Sequence, residues 1–177
     1  MTPTGTPTET PTPSDSPSLT PSPSTKPPLP PQTNQKPQVY WLAASQTKVA
    51  LTPVEIKIPS TSDKTAQAQL TAAMEQLLKG PTDKAVTSTV PAETKLNSIE
   101  VQKDGVHVDL SKSFTSGGGS KSMQGRLGQV IYTASSINPT DPVWISVDGA
   151  PLKVLGGEGL EVSQPMTREE FAKNFSL

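Results

Sequence analysis

The chain has no cysteine and a single histidine, His107. Without cysteine there are no disulfides, thiolate metal sites, iron–sulfur clusters or cysteine nucleophiles, and an oxidising compartment does the chain no harm. Aromatic residues make up only 4% of the sequence, and all of them follow residue 38. Charge of one sign is also missing: the formal net charge is −1, and the lysines from Lys48 to Lys153 are spaced singly. Nucleic acid is therefore not an expected partner, because no basic field exists to hold phosphates. No run approaches the roughly 20 apolar residues of a membrane span. Residues 1–5 carry neither a basic n-region nor an apolar h-region. Membrane attachment is expected only through an N-terminal lipid or transmembrane segment outside these 177 residues.

Proline is abundant instead. Of 20 prolines, 12 fall between Pro3 and Pro37. Leu19 and Leu29 are the only sizeable aliphatic side chains there, too little apolar surface to offset the entropy of ordering. Residues 1–37 are read as a disordered Pro/Thr/Ser-rich linker, extended at about 3.1 Å per residue where it is stiff. A spacer, an O-glycosylated stalk and a ligand for proline-binding modules are the competing uses of such a segment.

From Val39 the pattern changes, and 38–177 reads as one domain. Val39–Ala44 suits a buried strand, and Val54-Glu55-Ile56-Lys57-Ile58, bracketed by Pro53 and Pro59, suits an edge strand. Leu70, Ala73, Met74, Leu77 and Leu78 share one helical face, so a helix is expected over about 64–79, capped by Thr61, Ser62 or Asp63 and stopped by Gly80-Pro81. Ile99 and Val101, then Asp104-Gly105, then Val106, Val108 and Leu110 predict a hairpin turning on Asp-Gly, with His107 and Asp109 on the opposite face. A second helix is expected over about 120–137, with Gly125 and Gly128 permitting close packing. Val143–Val147 reads as a strand, Asp148-Gly149 as a turn, and Leu152–Leu155 as that strand's partner. Phe171 and Phe175 suggest a last short helix. The order β-β-α-β-β-α-β-β predicts an α+β or mixed α/β fold, a small two-layer sandwich.

Motifs that carry chemistry are scarce. His107 lies beside Asp109 with no G-x-S-x-G nucleophile turn. Gly117-Gly118-Gly119-Ser120-Lys121-Ser122 fails the phosphate-loop spacing, since Ser120 precedes Lys121 and Thr115 holds the earlier glycine position. Ser45-Gln46-Thr47-Lys48 matches S-x-x-K without its companion motifs. No catalytic residue, cofactor site or metal ligand is assigned, and the expectation is that the chain is not an enzyme.

The order of short motifs resembles the GerMN domain, a module of bacterial sporulation and germination proteins. Val39-Tyr40-Trp41-Leu42 looks like its opening strand. Leu77-Leu78-Lys79-Gly80-Pro81 resembles its Leu-Leu-x-Gly-Pro helix end, and Val90-Pro91 with Thr94-Lys95-Leu96 its "iP-x-gt-x-l" stretch. Val106–Ser111 with Phe114 resembles "v-x-v-D-l-s…F", with Asp109 at the acidic position. Gln129–Thr133 resembles Q-x-v-x-T, Val143–Gly149 with Asp148 resembles "v-x-i-x-v-d-G", and Gln164–Arg168, containing Pro165, resembles "x-P-x-t-R". The likeness runs over about 38–170. It implies a ring-building-motif-like fold, an extracytoplasmic location, no known catalysis, and assembly or scaffolding at the septum or wall. Gly80, Pro81, Pro91, Asp109, Phe114, Thr133, Asp148, Gly149, Pro165 and Arg168 are thereby expected to hold structure. The expected partners are proteins of the envelope or septum, a second copy of the chain, or peptidoglycan. For the last, Tyr40, Trp41, Tyr132 and Trp144 are the only Tyr and Trp side chains available to stack on sugars.

Overall fold

A computed structural model describes residues 36–44, 49–57, 65–157 and 159–177. Residues 1–35 of the linker, the S-x-x-K stretch at 45–48, the strand end Ile58-Pro59 and the candidate caps Thr61, Ser62 and Asp63 lie outside the described residues.

The opening strand is β1 (Gln38–Ala44), as its apolar run predicts. Its partner is β2 (Val49–Glu55), earlier than the expected 54–58, with Tyr40 opposite Pro53 and Leu42 opposite Leu51. Pro53 lies inside this strand and does not bracket it. The Tyr40 N–H donates to the Thr133 hydroxyl at 3.1 Å and its carbonyl accepts from Gln129, so Tyr40 turns its polar groups away from β2. The residue facing it makes no ladder bond, and proline is tolerated there.

Helix α1 (Ala66–Lys79) buries Leu70, Ala73, Met74 and Leu77. Its cap is Thr65, whose hydroxyl accepts from the Ala68 N–H at 3.3 Å. At the far end Gly80, with φ +88°, donates to the Leu77 carbonyl. The expected hairpin of β3 (Leu96–Gln102) and β4 (Gly105–Leu110) forms, with Glu100 opposite His107 and Gln102 opposite Gly105. Its turn is Lys103-Asp104, one residue earlier than Asp-Gly suggested. Gly105 has φ +135° and starts β4, and a Cβ there would stand 2.2 Å from the Pro142 carbonyl oxygen. The glycine serves a close approach of two backbones and not a type I′ turn.

A 3₁₀ turn, Lys112–Thr115, drops Phe114 fully into the core and leads to α2 (Ser120–Ala134), three residues shorter than expected. β5 (Val143–Val147) then returns parallel to β4, with His107 beside Trp144. The intervening helix is the crossover that a parallel pair requires. β5 turns at Asp148-Gly149 into β6 (Ala150–Pro151), giving the order β3-β4-β5-β6. The expected partner 152–155 does not continue this ladder. Leu152 donates one bond to Ile145, while β7 (Val154–Leu155) pairs with β8 (Leu160–Glu161) in a separate ribbon. α3 (Arg168–Asn174) starts with a capping box between Thr167 and Glu170.

One core joins these elements. Ile99, Val106, Val108, Leu110, Val143 and Ile145 line the inner sheet face and cluster with the apolar residues of α1, α2 and β1. Full burial of such side chains stabilises by about 1.5–3 kcal/mol each. α2 is buried nearly all round, so its glycines mark close approaches. A Cβ at Gly125 would meet Leu42 and Thr89 at 2.9 and 2.8 Å, and one at Gly128 would meet Phe171 at 2.7 Å.

Candidate interaction surface

A helix buried on every side must dispose of its polar side chains, and α2 spends them on backbone. Gln129 is fully buried. Its amide donates to the Tyr40 carbonyl at 3.2 Å, and its oxygen accepts from the Thr89 N–H at 2.9 Å and from the Thr89 hydroxyl. Thr133, one turn later, holds the Tyr40 N–H. These two side chains act as a strand partner for the inner edge of β1, which Leu42 continues by exchanging bonds with Thr87 at 2.9 and 2.8 Å. Arg126 donates to the carbonyls of Phe114, Ser116 and Gly117 at 2.6–2.9 Å, and burial holds its pKa below the ordinary value. The chain from Phe114 to Gly117 thus turns carbonyls toward a cation, unlike a loop that cradles phosphate with its amides.

Arg168 closes the end of α2. It donates to the Tyr132 and Ser135 carbonyls at 2.7 and 3.1 Å, to the Ser135 hydroxyl at 2.8 Å and to the Tyr40 hydroxyl at 3.1 Å. The Tyr40 and Tyr132 ring centres each stand 4.8 Å from its guanidinium carbon. A cation at a helix C-terminus also complements the dipole. Gln164 works similarly on β5, accepting from the Ile145 N–H and donating to the Ile145 and Leu152 carbonyls.

Asp109 fixes the β5–β6 turn. Its carboxylate accepts from the Gly149 N–H at 2.9 Å and from Asn97 at 3.1 Å, and Asn97 also reaches Asp148 at 3.4 Å. Asp148 and Gly149 both have positive φ, at 48° and 79°, the pairing a tight primed turn needs.

The outer sheet face carries what remains. His107 stacks on Trp144 with ring centres 5.6 Å apart and planes 11° apart. Its Nε2 lies 3.1 Å from Asp104, not from Asp109, and that hydrogen bond holds the Asp104 carboxyl below its ordinary pKa. No serine completes a relay with this pair in the hydrogen bonds among the described residues. Nor, among those residues, do three or more His, Asp or Glu side chains gather to hold a metal. A cleft of about 340 Å³ opens beside β1 and β2, walled by Val39, Trp41, Ile56 and Val86 and rimmed by Glu55 and Asp83.

A family model, Germane, described as sporulation and spore germination, matches residues 38–153. The chain belongs to this family.

Solved structures give the same fold. The first GerMN domain of the sporulation protein GerM from Bacillus subtilis aligns at a TM-score of 0.58 and 21% identity, covering 77% of this chain and 99% of that one. The tandem GerMN domains of the same protein align equally well, with this chain spanning 46% of their length. A chain from Clostridium perfringens described as a candidate lipoprotein aligns at 0.55 and 22% identity, over 79% of this chain and 91% of that one. No curated protein matches. The GerMN resemblance read from the sequence is therefore correct, as is the mixed α+β class. The match to the Germane model ends at residue 153. Pro165 and Arg168 lie beyond it.

The pattern residues have separate duties. Thr133 and Arg168 meet at Tyr40, and Asp109, Asp148 and Gly149 meet at one turn. Gly80 and Pro81 end α1, the Pro91 carbonyl accepts from the Thr94 N–H at 3.0 Å, Phe114 fills the core, and Pro165 follows a cis peptide bond. They form no common site. Sequence reasoning missed Arg126 and Gln164, and gave Gln129 no role of its own. The available signal was a long polar side chain inside an otherwise apolar stretch, since such a group is buried only when paired. Of the candidate sugar-stacking rings, Tyr40 and Trp41 are more than nine-tenths buried, Tyr132 packs edge-on to Tyr40 and Phe171, and Trp144 is half-buried. Among the described residues no helix is long and apolar enough to cross a membrane.

Proposed function

We propose that this Germane chain is a non-enzymatic scaffold or adaptor of the bacterial cell envelope or septum, working outside the cytoplasm by protein–protein contact or self-assembly. One observation carries the reading. Gln129, Thr133, Asp109, Arg126, Gln164 and Arg168 spend their polar groups on the domain's own backbone. The sheet turns outward the half-buried His107–Trp144 face and strand edges with exposed Val49, Val54 and Val101. Surfaces of that kind suit another protein better than a small substrate. The fold relative described as a candidate lipoprotein supports attachment at the envelope.

The test has two arms. The full chain is incubated with purified peptidoglycan and soluble wall fragments, and the cell envelope is fractionated for the native protein. No turnover, with recovery in the envelope fraction, is the expected outcome. Release of muropeptides by the pure protein would overturn the scaffold reading. The second reading, a wall-glycan binding module, rests on the cleft beside Trp41. It predicts co-sedimentation with purified sacculi and fails if the protein stays in the supernatant.

A further inference from the structure

The outer edges of β2 and β3 differ in their ability to pair. Tyr40 and Leu42 turn their backbone groups away from β2, toward Thr133, Gln129 and Thr87. Their β2 partners Pro53 and Leu51 therefore turn theirs outward. Pro53 thus stands where the middle of that edge would offer a donor, a common block to edge pairing. β3 has no such block. The Val106 N–H donates to Pro142 at 2.9 Å, which sets Val106 and Val108 toward β5 and His107 and Asp109 toward β3. Glu100 and Ser98 answer them, so Ile99 and Val101 present both N–H and C=O outward. No proline occurs from Leu96 to Gln102, and among the described residues no strand pairs there. Val101 is 38% exposed, while Ile99 on the same face is 5% exposed.

We propose that a second copy of this chain adds its β3 antiparallel to this edge, across a twofold axis centred on Val101. The inference rests on the self-assembly form of the reading above. Self-complementarity selects the copy and the register. Centred on Val101, Glu100 faces Gln102 of the partner subunit, and Gln102 already donates to Glu100 within one chain at 2.8 Å. Val101 meets Val101 of the partner subunit and loses its exposure. A centre on Glu100 would oppose two carboxylates. A centre on Ile99 would run the ladder into the irregularity between Leu96 and Ser98. The result is one continuous sheet closed by an isologous contact.

Sedimentation velocity of the full chain over a wide concentration series tests this, with Val101→Lys, Val101→Pro, Val101→Cys and Val49→Cys. Val101→Lys sets like charges on the axis, and Val101→Pro removes only an outward donor. The proposal expects a wild-type dimer, weakened at least about tenfold in both variants, whose thermal melts stay cooperative. The chain has no native thiol, so the Val101→Cys variant should cross-link under mild oxidant and the Val49→Cys variant should not. A wild-type monomer at every concentration overturns the proposal together with self-assembly, leaving the adaptor form. A dimer indifferent to Val101 and not cross-linked there overturns the edge alone.

Discussion

Arg168 donates to the hydroxyl of Tyr40 across 128 residues of sequence, and its guanidinium also sits 4.8 Å from the Tyr40 ring centre. The contact ties the first strand to the last helix through the end of α2. Arg168→Ala should destabilise by about 2–4 kcal/mol, because two carbonyls and two hydroxyls lose a charged donor and two rings lose a cation. Arg168→Lys should recover less than half of that, since an ammonium cannot present a planar fork. Thermal unfolding of both variants measures the difference.

Gln129→Leu preserves volume and removes the polar head. It should cost about 2–4 kcal/mol, because the Tyr40 carbonyl and the Thr89 N–H lose their partner in a dry interior. Amide exchange should accelerate at Tyr40 and Thr89 before other core positions. Uniform acceleration across the domain would count against this local account.

Gly105→Ala should be worse than Gly80→Ala, although both have positive φ. At Gly80 nothing lies within 4 Å of a built Cβ, so only the backbone strain of a conformation nearly exclusive to glycine, about 1–3 kcal/mol, applies. At Gly105 the Pro142 carbonyl blocks the methyl group, and β4 and β5 must separate. Denaturant midpoints of the two variants give the ranking, and an equal loss would refute it.

Asp141 titrates against folding. Burial raises its pKa above the ordinary 3.8, opposed by the Asn138 amide that donates to it. The native state therefore binds the proton more tightly than the unfolded chain. This contribution to stability is full below the unfolded pKa and is lost as pH rises through the folded one. Asp141→Asn keeps an acceptor for Asn138 and removes the buried charge, so it should be neutral to stabilising at pH 7. Its advantage should shrink as pH falls toward 4. An advantage that grows with acid would reverse the assigned sign.

The elements readable in the sequence were those with strong local periodicity. α1 showed its stripe from Leu70 to Leu77 and its Gly80-Pro81 stop, and β4 showed its alternation from Val106 to Leu110. Misreadings fell where partners are distant. The strand expected over 54–58 lies earlier, at Val49–Glu55, because it forms as the partner of β1, and local alternation does not show that pairing. Asp104-Gly105 looked like a turn because the pair often is one. Only Pro142, brought in by the crossover, shows why glycine is needed. The GerMN pattern was legible as a string of short motifs, but Thr133, Asp109 and Arg168 showed no individual duties until each met its partner.

By itself the sequence determined an N-terminal segment rich in proline and poor in apolar residues, a cysteine-free α+β domain after it, and its family. Those properties follow from composition and local period, which a chain carries wherever it goes. Only the tertiary structure decided which backbone edges are satisfied from within, by Gln129, Thr133 and Gln164, and which strand is left open. Hydrogen-bond pairing depends on which groups three-dimensional packing brings within reach, and no sequence window contains both sides of such a pair.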